Sequence, residues 1–257
     1  MPAPETAARP PRLQLGAVVW AAAMTGVVAM AVYLPDMVRA FGDDPADLPA
    51  WLPLLVAAQN GVLVALLAAV GAGLAWRLGL HAPVAEALVS GRPVGPALRP
   101  QVAPGLVGGA FGAVLLTAAP SVAPEAITAL AGQWDPPLWV RVLYGGVTEE
   151  VMVRWGVMTG LVWLGWRLVQ RRDGAPTPAV LWAAVVGSSL LFGAGHLPAA
   201  AALVGSLSPS VVAYVVLANS AFGLVAGWLY WRRGLEAAVL AHVGAHVGAV
   251  ALATLVV

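Results

Sequence analysis

LWVRVLYGGVTEEVMVRWGVMTGLVWLGWRL, residues 138–168, is the stretch that decides the fold. At about 1.5 Å per residue, a helix over this run is long enough to cross a hydrocarbon core of about 30 Å. Near its middle it nonetheless carries two adjacent carboxylates, Glu149 and Glu150, and a cation, Arg154. Insertion scales put the cost of such side chains at membrane depth at roughly 2.5–3.5 kcal/mol each, and they usually mark functional sites. The stretch therefore reads as a membrane helix built around a site.

Further apolar runs flank it on both sides, at about 13–34, 51–78, 101–120, 178–197, 210–231 and 235–257. The expected fold is all-α, a polytopic transmembrane helix bundle of seven spans. Residues 198–209 are also fairly apolar and either extend the fifth span or form an eighth. Period-two alternation is absent, which argues against a β-barrel. Residues 82–100 hold Glu86, Arg92, Arg99 and several prolines, and read as a cytosolic or interfacial connection. Nothing marks a second domain, so residues 1–257 read as one membrane domain with a catalytic core over 138–250.

Composition agrees. The chain of 257 residues is 60% hydrophobic and 10% charged, against roughly 25% charged in an ordinary soluble domain. A disordered chain, a nucleic-acid binder and nearly all cytosolic enzymes are excluded. There is no Cys, hence no disulfide, thiolate metal site or thiol nucleophile. All 13 basic residues are Arg. With the N-terminus in the cytosol, Arg9, Arg12, Arg77, Arg92, Arg99, Arg167, Arg171, Arg172, Arg232 and Arg233 fall inside, and only Arg39 and Arg141 fall outside. This bias orients the chain N-in.

Helical spacing sorts the buried charges. Glu150 and Arg154 are four apart and can pair. Glu149 lies about 100° around the helix from Glu150 and is free for other work, such as general-base catalysis. Three of the four histidines are also in spans: His196, and His242 with His246 one turn later. His81 reads as a surface residue. Asn60 and Asn219 read as hydrogen bonds to neighbouring helices. His196 sits too near the outer end of its span to meet Glu149 unless that helix tilts or continues past Pro198. The glycine pairs 105/109, 108/112, 156/160, 223/227 and 244/248 read as close helix packing.

Several hydrolytic designs are missing. There is no GxSG-type nucleophile motif, no Asp within a span, no HExxH and no P-loop or Rossmann pattern in a fitting context. A glutamate with histidines remains. Glu149-Glu150-Val-Met-Val-Arg154 resembles the EExxxR motif of the CAAX protease and bacteriocin-processing family. Phe192-Gly-Ala-Gly-His196 resembles its FxxxH motif, and His242 the His of its third motif, HxxxN or HxxxD. The run from Phe222 to Tyr230 is similar to the helix preceding that third motif.

The resemblance implies an intramembrane peptidase acting on a peptide or protein substrate at the bilayer, with its motifs gathered in a cavity open toward the cytosol; the richness in Ala, Gly, Pro and Arg with no Lys fits a bacterial inner membrane. It implies that Glu149 activates water, Glu150 pairs with Arg154, His196 positions the water and His242 stabilises the oxyanion. Prenylated CAAX proteins are not assumed as substrates. His246 stands where the third motif has Asn or Asp, and is expected to act as a donor beside His242. The resemblance favours a metal-free mechanism. The competing reading is a metalloprotease-like Zn²⁺ set of Glu149, His196, His242 and His246. Other readings are a non-proteolytic bacteriocin-immunity or membrane-anchoring protein on the same scaffold, and a proton-coupled transporter, against which there is no sign of an inverted repeat.

Overall fold

The computed structural model describes residues 9–130 and 135–256. Among them no strand is present. The principal helices are α1 (Arg12–Ala40), α2 (Leu52–Leu74), the short α3 (Pro83–Val89), α4 (Val94–Ala118), α5 (residues 138–169), α6 (Pro178–Gly195), α7 (Leu197–Val204), α8 (Pro209–Arg232) and α9 (Leu235–Val256). Six helical runs are long and apolar enough to cross a membrane. The seventh long helix, α5, carries the buried charges. The chain is a multi-pass membrane protein.

Starts and stops follow local chemistry. Pro178 and Pro209 open their helices, and the preceding Thr177 and Ser208 hydroxyls accept from the amides of Val180 and Val211. The third crossing begins at Val94, earlier than the expected 101, because Pro100 and Pro104 are carried inside the helix. The connection before it is anchored. Glu236 Oε1 accepts from the Val84 and Ala85 amides at 2.9 and 3.0 Å, capping α3 from another helix. Gln101 Oε1 accepts from the Ala237 amide at 3.0 Å. His81 shares a 3.2 Å hydrogen bond with Glu86 and is half-exposed.

Small residues bring the helices together at most of the expected pairs; Gly160 is the exception, with only Val70 Cγ1, at 3.9 Å, near where an added methyl would sit. Gly109 of α4 and Gly244 of α9 meet backbone to backbone: a methyl on Gly109 would lie 3.0 Å from the Gly244 Cα. Gly71 leaves room for the Trp155 indole, whose Nε1–H donates to the Ala68 carbonyl at 3.1 Å. One buried apolar core runs from Leu15 through Val64, Trp155, Val185 and Tyr230 to Ala245. Asn60 and Asn219 depart from expectation. Each donates to the carbonyl four residues back in its own helix, Val56 and Val215, because a side-chain amide reaches that carbonyl without needing a partner helix.

Two findings concern the site helices. First, α5 is not uniformly α-helical. π-helical runs over Arg141–Glu149, Val151–Met158 and Gly165–Val169 alternate with α turns. The Thr159 hydroxyl lies 3.4 Å from the carbonyl five residues back, Arg154, in step with this wider winding, while the Thr148 hydroxyl donates to the Ala23 carbonyl of α1 at 2.6 Å. Second, α6 continues past Pro198 as α7, and the two together form one span of 27 residues. His196 sits at the joint, well inside the span, which removes the tension over its depth. With only eight residues, α7 is too short for an eighth crossing.

Candidate functional site

Glu149 and Glu150 leave α5 toward different surroundings. Glu150 is buried, as is Arg154, and the two form an ion pair with Nε 3.2 Å from Oε2. The other Glu150 oxygen, Oε1, lies 2.8 Å from His242 Nδ1. A carboxylate can only accept here, so the imidazole donates through Nδ1–H and presents Nε2 elsewhere. The Arg154 guanidinium lies over the Phe192 ring, with Cζ 5.3 Å from its centroid, an arrangement that favours the cation. Glu150 thus ties α5 to α9, and Arg154 ties α5 to α6.

Glu149 instead lines a cavity of about 840 Å³. His196, His242 and His246 line the same cavity, as do Arg141, Tyr144 and Asn219. Glu150 and Arg154 do not line it; they lie behind the wall. His196 Nδ1 lies 2.8 Å from the Phe192 carbonyl and must donate to it, which leaves Nε2 of a neutral ring as an acceptor. Phe192 also packs edge-on against His196, with centroids 4.8 Å apart, and against His242 at 6.1 Å. His242 and His246 stack at 5.1 Å with only 23° between their planes. The Phe222 ring lies 4.7 Å from His242 on another side. All six residues singled out from sequence therefore meet in one place, in two layers: Glu149 and the three histidines toward the cavity, Glu150 and Arg154 in support.

Gly145, one turn before Glu149, faces the stacked imidazoles. A methyl there would lie 2.9 Å from His246 Nε2 and 3.6 Å from His242 Nε2. Sequence reading gave Gly145 no role, because a glycine beside another glycine in an apolar helix looks like packing. Gly145→Ala should push the His246 ring aside and lower cleavage by up to about 10²-fold while the protein still folds, since a misplacement of about 1 Å can cost that much. Gly160→Ala is the matched control. Its new methyl would meet nothing nearer than Val70 Cγ1 at 3.9 Å. Equal activity of the two variants at equal thermal stability would remove Gly145 from the site.

The Zn²⁺ alternative can be tested on this geometry. Among the described residues, no three His, Asp or Glu side chains converge closely enough to hold a metal ion. His242 Nδ1 and His196 Nδ1 are engaged by Glu150 and by a backbone carbonyl, which leaves Nε2 of each ring toward the cavity, so these two bonds do not themselves oppose a ligand role.

Residues 133–248 match the family model of the type II CAAX prenyl endopeptidases, Rce1-like. The matched region is a domain of this CAAX-protease family. The matched region runs from just before α5 into α9 and holds all six site residues. No curated protein and no solved structure matches the chain significantly. At a coarse level, this domain makes the chain a CAAX-protease-type membrane endopeptidase, with a peptide or protein substrate at the membrane. In this CAAX-protease domain the arrangement has the parts that amide hydrolysis needs: a cavity-facing carboxylate, acceptor and donor nitrogens around it, and a compensated charge pair holding them in place.

Proposed function

We propose that the chain hydrolyses peptide bonds at the membrane with water activated by Glu149, without a metal. The observation that carries this reading is the separation of the two glutamates. Glu149 faces the cavity beside three imidazoles, while Glu150 is committed to Arg154 and His242 behind it. Glu149 takes a proton from water as the oxygen attacks the scissile carbonyl, and returns it to the leaving amine as the C–N bond breaks. His196, with Nδ1–H engaged, accepts a hydrogen bond from that water at Nε2 and sets its position. His242 serves the oxyanion as an imidazolium, with one N–H on Glu150 and the other on the developing negative charge. His246, stacked on His242, supplies a further donor in place of the Asn or Asp of the family motif. The arginine bias supports an N-in orientation in a bacterial inner membrane.

The test compares membrane proteomes of cells carrying wild-type protein and Glu149→Gln. Cleavage products present only with wild type are expected. Identical proteomes would favour an immunity or anchoring role and sink the peptidase reading. His246→Asn separates donor from ligand. Asn keeps an N–H donor and is a poor Zn²⁺ ligand, so the variant should retain most activity. Stoichiometric Zn²⁺ in protein purified without added metal, lost together with activity in His246→Asn, would overturn the metal-free mechanism.

A further inference from the structure

We infer that the cavity takes its substrate from the arginine-poor face of the bundle, so that the polypeptides cut are apolar segments exposed at the outer surface of the membrane rather than cytosolic lipidated proteins. The inference rests on the peptidase reading for what enters, but not for the side of entry.

The mouth is set by which helix ends reach it. Away from Glu149, the lining runs out through Met37 and Phe41 at the end of α1, Pro120 just after α4, Pro136 just before α5, and Ala202 in α7. Tyr214 adds the opening turns of α8. All of these belong to one face of the bundle, the face that holds the end of α1 and the start of α2. No lining residue comes from α2, α3 or the turns at the opposite face.

The opposite end is closed. Below Glu149 along α5 come Trp155 and Met158, both buried, and then Thr159, whose hydroxyl is bonded to the buried Tyr230 hydroxyl at 2.8 Å. The Trp155 and Tyr230 rings meet edge-on at 6.3 Å. Leu229 and Leu235 complete a packed floor. A chain entering from that side would have to displace the most buried part of the core.

Charge then assigns the faces. Ten arginines lie at the closed face and two, Arg39 and Arg141, at the open one. Positive charge is retained on the cytosolic side of bacterial membranes, so the closed face is cytosolic and the mouth opens outward. Arg141, at the mouth, is already occupied by Asp135 and by the Pro136 carbonyl at 2.6 Å. What remains of the entrance is apolar: Met30, Met37, Leu115, Leu116 and Pro120. The fitting occupant is a polypeptide stretch rich in apolar side chains that reaches the outer leaflet or emerges from it. This outward mouth runs against the cytosolic opening that the family resemblance implies, and thiol labelling decides between the two.

The absence of native cysteine makes the test direct. Single variants Ala202→Cys at the mouth, Asn219→Cys in the cavity wall and Ser90→Cys at the arginine-rich face are placed in the full chain. Right-side-out membrane vesicles are treated with a membrane-impermeant thiol reagent, before and after permeabilisation. The expected result is labelling of Ala202→Cys and Asn219→Cys before permeabilisation, and of Ser90→Cys only after it. The reverse pattern overturns the inference, and so does an Asn219→Cys that stays unlabelled in folded protein under both conditions. The readout needs no cleavage. A peptidase reading that failed on Glu149→Gln would leave the labelling pattern intact, and an inverted pattern would leave the peptidase reading intact.

Discussion

Glu149→Gln should fold like the wild type and lose cleavage by about 10²- to 10⁴-fold, the range typical of removing one general acid–base group. Gln keeps the volume and an acceptor oxygen, so the cavity wall is preserved, but it cannot take a proton from water. Glu149 is not the partner of Arg154 in the ion pair, so its substitution leaves no buried charge unpaired. The measurement is turnover of a cleaved substrate by purified protein, alongside a thermal melt in the same detergent. Full activity in Glu149→Gln would end the general-base assignment. Lost activity with a lowered melting temperature would instead indicate a structural role, and the conservative Glu149→Asp would then be expected to restore stability.

Arg154→Ala should have the largest effect on stability of any single change in the site. Glu150 is about 1% exposed and Arg154 is fully buried. Removing the guanidinium leaves a carboxylate facing only the His242 N–H, and breaking a buried pair in this way costs about 3–5 kcal/mol. That is a large part of the total stability of a typical domain. The change also strips the cation from the Phe192 face and opens a space between α5 and α6. Denaturation in detergent, or the folded fraction recovered from membranes, would show it. The double variant Glu150→Gln with Arg154→Met removes both charges, keeps an acceptor for His242 and fills the volume. It should recover much of the loss. An Arg154→Ala protein within about 0.5 kcal/mol of wild type would mean that the pair is not structural.

The spans were legible because membrane insertion leaves a strong mark on local composition. The runs read as 178–197 and 210–231 correspond closely to Pro178–Gly195 and Pro209–Arg232, where a proline and a capping hydroxyl fix each start. Span three was read too short because Arg99, Pro100 and Pro104 lower the apolar signal without ending the helix. The Glu150–Arg154 pairing was legible because both ends lie on one helix. Its third member was not: His242 Nδ1 reaches Glu150 from 92 positions away in sequence, a distance set by how α5 and α9 pack. The π-helical winding of α5 left no trace in hydrophobic period. Asn219 could have been found as a cavity residue, since a side-chain amide within an apolar span is rare in this chain, but its bond to Val215 is local and carries no direction toward the site.

The buried packing of Trp155, Met158 and Tyr230 beyond the cavity leaves no passage from one side of the membrane to the other. A long chain cannot be threaded through it as through a tunnel. If Glu149 cuts as proposed, only a free end or a bent loop presents a bond to it, and the severed fragment leaves the cavity before the next molecule is admitted. Under the proposed activity a retained fragment occupies the same cavity as the uncut polypeptide, so added fragment should compete with it, and cuts should fall near chain ends or at bends rather than stepwise along a strand.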